Sequence, residues 1–155
     1  MDQEKAESPH PVSPNVLRIE DSHRRIRNDL RVLEKRDDLG QIGEAVDDLP
    51  GLLKEHFREE EKPGGLFEEI QSLRPRLRSR LDRLRQEHRE IMRALQGLQR
   101  RLREVDEMTR RGELQRLHDD IRLSKAAFLK LIHQHERVES GLVADTYYME
   151  DGGSG

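Results

Sequence analysis

Apolar residues recur at intervals of three and four through most of the chain, which is the spacing of amphipathic helices. The pattern predicts a first helix from about Asn15, a suitable N-cap residue, to Arg36. A short connection is expected at Asp37–Gly43, because two glycines fall within it. A second helix is predicted over Glu44–Glu61, and its main part should begin at Pro50, where proline suits a first helical turn.

Three further helices are predicted in the second half of the chain. A short one spans Leu66–Leu73, between a Pro-Gly-Gly stop and Pro75. A long one covers about Arg76–Arg110, and a turn at Gly112 separates it from the last helix, Glu113–Tyr147. The side chains expected to face inward from the first, third and fourth long helices are Val16, Leu17, Ile19, Ile26, Leu30, Leu33, Leu77, Leu81, Leu84, Ile91, Leu95, Leu98, Leu102, Val105, Leu114, Leu117, Ile121, Phe128, Leu131, Ile132, Val138 and Leu142.

Four long helices with short connections must alternate in direction. The sequence therefore predicts an all-α, up-down-up-down antiparallel four-helix bundle over residues 15–148. No strand-like alternation or hairpin dipeptide competes with this interpretation. Residues 1–14 contain three prolines and several charges and are expected to form a disordered leader, and residues 149–155 a flexible tail.

Composition excludes several classes of protein. Charged residues make up 39% of the chain and no apolar run is long enough to span a bilayer. The net charge of -3 argues against a protein that coats nucleic acid. Cysteine is absent, which leaves the seven histidines as the best candidates for metal chemistry. The first residues lack the apolar segment of a signal peptide, so a cytoplasmic location is expected by default.

Two predicted helices carry the same motif, a histidine followed four positions later by a glutamate. The motif is His56-x-x-x-Glu60 in the second helix and His135-x-x-x-Glu139 in the fourth. Residues four apart lie on one helical face, with Cβ atoms about 6 Å apart, so the imidazole and the carboxylate can bind one metal ion or two neighbouring ions. The first helix adds His23 and the third adds His88, which gives every long helix one histidine.

The four histidines are expected at similar heights in the bundle. Two of them lie near the starts of their helices and two near the ends, so an antiparallel arrangement brings them within roughly 10 Å of one another along the axis. Each lies beside the buried stripe, where an unpaired imidazole or carboxylate is costly. Metal ions are the predicted shared partner, and imidazole with carboxylate suits iron, manganese or zinc. Two facing carboxylates could bridge two ions.

Other titratable residues are expected to lie outside the site. The remaining histidines are predicted in the leader (His10), at the surface or in the core (His118), and on another side of the last helix (His133). Glu59 is an alternative to Glu60 if the second helix frays before Pro63. The glutamates that flank the motifs are otherwise expected to face water; they are Glu59, Glu61 and Glu136.

At these residues the chain resembles the hemerythrin-like, or HHE cation-binding, family over about residues 15–148. The matching features are His23, Glu55-His56-Phe57-Arg58-Glu59-Glu60 with Gly64-Gly65-Leu66-Phe67, Glu87-His88, and His135-Glu136-Arg137-Val138-Glu139. The resemblance implies a bundle that holds two iron ions joined by an oxo or hydroxo bridge. It implies binding of O2, or of a related diatomic or peroxide ligand, for storage, sensing or detoxification. The implied iron ligands are His23, His56, His88 and His135, with Glu60 and Glu139 as bridges.

Departures from the oxygen-carrying members place the chain in a four-histidine, two-glutamate branch. Those members have a second histidine one turn along the third helix, where this chain has Leu84 and Met92. Their last helix carries a histidine followed five residues later by aspartate, where Glu139 here comes after four. With fewer histidines per iron, the centre is expected to oxidise more readily or to react with peroxide or NO.

Three alternatives are weighed against this interpretation. A ferritin-like di-iron bundle needs Glu-x-x-His on two helices, and only Glu20 with His23 has that spacing. A di-iron oxidase or peroxidase would need a substrate pocket and an electron donor, for which the sequence has no motif. A metal-free helical interaction protein would use its charged faces to bind a partner, with incidental histidines.

Overall fold

A computed structural model describes residues 13–105 and 111–148, and nearly all of these residues are helical. Four helices form an antiparallel bundle: α1 (Pro14–Lys35), α3 (Leu49–Glu61), α5 (Arg78–Glu104) and α6 (Arg111–Val143). The connecting elements are α2 (Leu39–Asp47), α4 (Leu66–Leu73) and a 3₁₀ turn (Pro75–Leu77), and a π-helical turn (Ala144–Tyr148) extends α6. The predicted all-α four-helix bundle is confirmed. None of the described helices is long and apolar enough to cross a membrane.

The N-cap of α1 lies two residues before the predicted one. Ser13, rather than Asn15, is the N-cap residue, and its hydroxyl accepts a hydrogen bond from the Val16 amide at 3.2 Å. Asn15 instead donates from Nδ2 to the Gly64 carbonyl at 2.9 Å, across to the turn between α3 and α4. The N-terminal end of α1 is therefore joined to the segment that follows α3.

Two predicted connections are wrong. The segment Asp37–Gly43 is largely helical, because the Asp38 side chain caps α2 by accepting from the Gln41 amide at 3.2 Å and Ile42 is fully buried. Gly112, the predicted turn, lies inside α6. The break predicted at Pro50 is confirmed, since α2 and α3 meet at Asp48.

Some predictions lie outside the described residues or fail at single positions. The leader through residue 12, His10, the end of the third predicted helix at residues 106–110 and the tail at residues 149–155 are not among the described residues. Leu17 and Val138, both predicted to face inward, are 59% and 40% exposed. Each lies next to a buried residue, Leu17 after Val16 and Val138 before Glu139, where a simple count of apolar positions includes it wrongly.

The apolar core is divided into two clusters by a layer of polar residues. On α1, Ile19 belongs to one cluster and Ile26 to the other. On α5 the same division falls between Leu84 and Ile91. The residues between these positions include His23 and His88, so the predicted site residues form the boundary between the two halves of the core.

The end of α3 is fixed by two glycines that lie close to Glu60. Gly64 has φ +75°, in the left-handed region that favours glycine. Gly65 approaches the backbone so closely that a Cβ atom there would lie 2.6 Å from the Glu59 carbonyl oxygen and 3.0 Å from that of Glu60. Its amide donates to the Lys62 carbonyl at 2.8 Å, which closes the turn.

Replacing Gly65 with alanine is expected to lower the free energy of unfolding by more than about 1 kcal/mol, because the new methyl group meets backbone atoms that cannot rotate away. Urea unfolding measures this loss. Gly51→Ala is the matched control: Gly51 lies in α3 with open space around its missing Cβ, and the substitution should stabilise the chain by roughly 0.5–1 kcal/mol. Equal stability of Gly65→Ala and the parent chain would show that this turn does not fix the end of α3.

Candidate metal centre

Each helix of the bundle contributes one imidazole to a common layer. His23 comes from α1 and His88 from α5, while α3 and α6 each add a histidine and the glutamate one turn later. These glutamates, Glu60 and Glu139, are 0% and 1% exposed. The structure therefore brings together all six residues that the sequence selected.

The six residues form two overlapping groups that share both carboxylates. One group contains His23 and His56 with the two glutamates, and the other contains His88 and His135 with the same glutamates. Within each group the potential ligand atoms all lie within 4.8 Å of one another. This arrangement offers two neighbouring positions for a cation, and both carboxylates belong to each position.

All four imidazoles direct Nε2 at a carboxylate. His56 Nε2 lies 2.9 Å from Glu60 Oε1, and His88 Nε2 lies 3.5 Å from the same oxygen. The second carboxylate has the same surroundings. His23 Nε2 lies 2.9 Å from Glu139 Oε1, and His135 Nε2 lies 3.1 Å from Glu139 Oε2.

These short distances do not satisfy the buried polar atoms. Both oxygens of Glu60 and of Glu139, and the Nε2 atoms of His88 and His135, have no hydrogen bond of acceptable geometry with any described residue. Burying carboxylates and imidazoles without partners is strongly unfavourable. A cation at each of the two positions would satisfy these atoms together, so the residues present fit a bound metal.

Burial and mutual repulsion shape the protonation of the layer. Burial lowers the pKa of His56 to about 3 and also lowers the pKa of His88. Burial, reinforced by the neighbouring Glu139 carboxylate, raises the pKa of Glu60 well above its usual range. Burial opposes the protonation of His135, but the Glu139 and Glu87 carboxylates outweigh it and raise its pKa. At neutral pH His56 and His88 are therefore neutral imidazoles with a free lone pair, the form that can bind a metal ion.

Two glutamates outside the layer contact imidazoles of the layer through Nδ1, the ring nitrogen that does not face Glu60 or Glu139. The Nδ1 atom of His88 lies 3.1 Å from Glu61 Oε2, and that of His135 lies 2.8 Å from Glu87 Oε2. A carboxylate there accepts Nδ1–H and leaves Nε2 free to bind a cation. The sequence analysis assigned Glu61 to water and gave Glu87 no role, because each glutamate contacts a histidine on a neighbouring helix that spacing along one helix cannot identify.

Two aromatic rings also enclose the layer, and the sequence analysis gave them no role in the site. Phe57 stacks with His88 at 3.9 Å between ring centroids and 12° between planes. Phe67, from α4, stacks with the same imidazole at 5.4 Å and 20°. Both rings are almost fully buried, so they fix the orientation of His88 and exclude water from its side of the layer.

The remaining candidate residues lie elsewhere. Glu59 is paired with Lys62 at 2.7 Å, which leaves Glu60 as the glutamate of α3 in the layer. His118 contacts the Asp37 carbonyl at 2.8 Å, and His133 contacts Glu34 at 2.6 Å on the surface.

Glu136 was predicted to face water, and this is wrong: burial raises its pKa, and one of its carboxylate oxygens is buried without a partner.

Protonation of His56 gives the metal-free chain a predictable pH dependence. With a folded pKa of about 3 and an unfolded pKa of about 6.5, the unfolded state binds the extra proton first, so stability falls as pH drops below about 6.5. Between pH 7 and pH 5 this group alone should cost about 2 kcal/mol. Chemical unfolding of chelator-treated His56→Leu should show a loss over this range that is smaller by that amount. An unchanged loss would mean that His56 is protonated in the folded chain at pH 5.

Comparison with known families agrees with this geometry. The description "Hemerythrin HHE cation binding domain" matches residues 16–144, which cover most of the chain and include all six residues of the layer. Comparisons with curated proteins and with solved structures returned no match. The resemblance drawn from the sequence is confirmed, and the chain belongs to the hemerythrin HHE cation-binding family.

Proposed function

We propose that this chain is a non-haem di-iron protein that binds O2 or a related small ligand for storage, sensing or detoxification. In this proposal His23 and His56 are terminal ligands of one iron, and His88 and His135 are terminal ligands of the other. Glu60 and Glu139 bridge the two ions. The residue layer that divides the core is then the functional centre of the bundle.

The observation that carries this proposal is that the two ligand groups share both carboxylates. A single cation would use one group and leave two buried imidazoles of the other group without a partner, at considerable cost. Two cations use every imidazole once and both carboxylates twice. The oxygens of Glu60 and Glu139 support this arrangement, since both oxygens of each carboxylate lack a hydrogen-bond partner among the described residues.

The donor set supports iron with positions left for an exogenous ligand. Imidazole and carboxylate donors without thiolate suit iron, manganese or zinc, and the family relationship favours iron among them. Each ion has two imidazoles and two shared carboxylates, which is fewer than the six ligands of an octahedral ion. Positions 84 and 92 are occupied by Leu84, which is fully buried, and Met92, which packs against the core. Neither position therefore supplies a further histidine.

Reduced iron, when bound, supplies the electrons for O2 chemistry, and the side chains of the bundle provide its surroundings. The two carboxylates offset part of the charge of two divalent ions. Phe57 and Phe67 stack beside His88, and the apolar clusters above and below the layer exclude bulk water. In such a dry site, electrostatic interactions between ligand and metal are stronger than in water.

Metal content of the tag-free protein tests the proposal directly. Mass spectrometry is expected to give about two irons per chain, with near-ultraviolet absorption from a ferric pair in air. Iron at about 1,000 times its Kd should also raise the free energy of unfolding by about 4 kcal/mol, because it binds only the folded chain. A folded helical chain that takes up no metal when Fe(II) is added would favour a metal-free interaction protein instead.

Single substitutions test the ligand assignment. His56→Ala and His135→Ala should each abolish binding of the pair of irons, because each removes a terminal ligand of a different ion. His118→Ala is the matched control, since His118 also lies on α6 but its Nε2 contacts the Asp37 carbonyl and not the layer. Equal iron content in all three variants would disprove the assignment. Turnover of a reductant by the loaded protein would add an oxidase or peroxidase activity to the proposal.

A further inference from the structure

The helices of the bundle are arranged so that the metal centre has an approximate two-fold symmetry. Both α1 and α5 pack against α3 and α6, so α1 lies diagonally opposite α5, and α3 opposite α6. Exchanging the helices of each diagonal pair exchanges His56 with His135, Glu60 with Glu139, and His23 with His88. The observed contacts agree with this exchange. Each glutamate lies near the Nε2 atom of the histidine on its own helix and near that of one histidine on a neighbouring helix. The six ligands alone would therefore make the two metal positions equivalent.

The residues that support the imidazoles break this symmetry. Glu87 precedes His88 on α5 and holds His135, whereas the equivalent residue on α1, next to His23, is Ser22. Glu61 follows Glu60 on α3 and holds His88, whereas the equivalent residue on α6, next to Glu139, is Ser140. A serine side chain is too short to replace either glutamate.

The missing carboxylates have a visible consequence at the other position. The Nδ1 atom of His56 is buried and has no hydrogen-bond partner among the described residues. His23 has a carboxylate contact through Nε2, and no hydrogen bond to its Nδ1 is found in the described parts of the chain. Glu136 lies on this side of the layer but accepts no hydrogen bond from either imidazole. The His23–His56 position therefore lacks both outer contacts that the His88–His135 position has.

The exposure of the histidine side chains also differs between the two positions, and it is higher at the His23–His56 position. The His23 side chain is 14% exposed, whereas those of His56, His88 and His135 are each 3% exposed. His23 borders two cavities of about 200 and 290 Å³. A larger cleft of about 540 Å³ between α5 and α6 reaches His135, but Glu87 lines that cleft and covers the outer, Nδ1 edge of the ring.

We infer that the two metal positions differ in affinity, so that a divalent cation fills the His88–His135 position first and leaves the His23–His56 position first. The inference rests on the proposed function, since it concerns the same two metal positions. Carboxylates behind ligating histidines fix the ring and raise its basicity, and losing one typically lowers metal affinity by about 10–100-fold. Glu61 and Glu87 are positioning residues in this scheme. Under limiting metal the protein then holds a single ion, and the second site responds to metal supply.

Zinc titration followed by imidazole NMR tests the order of filling in the full chain. Zn(II) is diamagnetic, so the ¹⁵N resonances of each histidine can be followed at every point. The first equivalent is expected to shift His88 and His135, and the second to shift His23 and His56. Simultaneous movement of all four, or movement of His23 and His56 first, would overturn the inference but leave the two-metal centre intact. Absence of any Zn(II) or Fe(II) binding would instead remove the proposed centre itself.

Exchange of the asymmetric residues tests their role. Glu87→Gln and Glu61→Gln should each weaken the first binding step by about 10–100-fold and leave the second nearly unchanged, as measured by calorimetry. Glu90→Gln and Glu59→Gln are matched controls, because they remove a charge nearby from residues that contact no histidine among those described. Conversely, Ser22→Glu and Ser140→Glu should tighten the second step. Equal losses in both steps for Glu87→Gln, or equal effects of the controls, would refute positioning by these glutamates.

Discussion

Two carboxylates buried side by side set the constraint on which this bundle depends. Glu60 and Glu139 lie within one ligand group and have almost no contact with solvent. Two negative charges about 4 Å apart repel by about 4 kcal/mol at an effective dielectric constant of 20, and each also loses its hydration. In the metal-free chain, burial and this repulsion together raise the pKa of Glu60 well above its usual range. Two bound cations, as proposed, would relieve the repulsion more completely, because they would attract both carboxylates and also satisfy the imidazoles.

The rest of the fold keeps this unfavourable layer in place. Apolar clusters lie on both sides of it, so any opening of the layer to water also exposes core side chains. The close turn at Gly65 follows the end of α3, which lies one residue after Glu60, and Asn15 joins the same turn to the start of α1. At the other end of the chain, Tyr147 donates to Glu69 of α4 at 2.9 Å, and Ser13 donates to the same carboxylate at 2.6 Å. The ends of α1 and α6 are thereby held on α4, close to the metal layer.

The sequence was sufficient to predict which six residues come together in the layer, but not which residues support them, and the reason is geometric. His56 with Glu60 and His135 with Glu139 are related by one helical turn, which is a spacing that can be counted in the sequence. The contacts of Glu61, Glu87 and the two phenylalanines cross between helices, so they depend on rotations and heights that only the packed bundle defines. The missed helix α2 is a different case. The sequence contains Asp38 as a possible cap and the apolar residues Ile42 and Val46, but the prediction rested on the two glycines alone.

The symmetry of the centre shows which features are dictated by metal binding and which are free to vary. Any two-ion site built from one imidazole per helix and two carboxylates requires the six ligands, and these are equivalent in the two halves of the bundle. The outer positions have no such requirement, and there the halves differ: glutamates stand on one side and Ser22 and Ser140 on the other. Any difference in affinity between two ions bound here would therefore arise outside the six residues of the layer. A bundle of this kind can adjust the release of one metal by changing a residue that never touches it, while the bridging carboxylates stay unchanged.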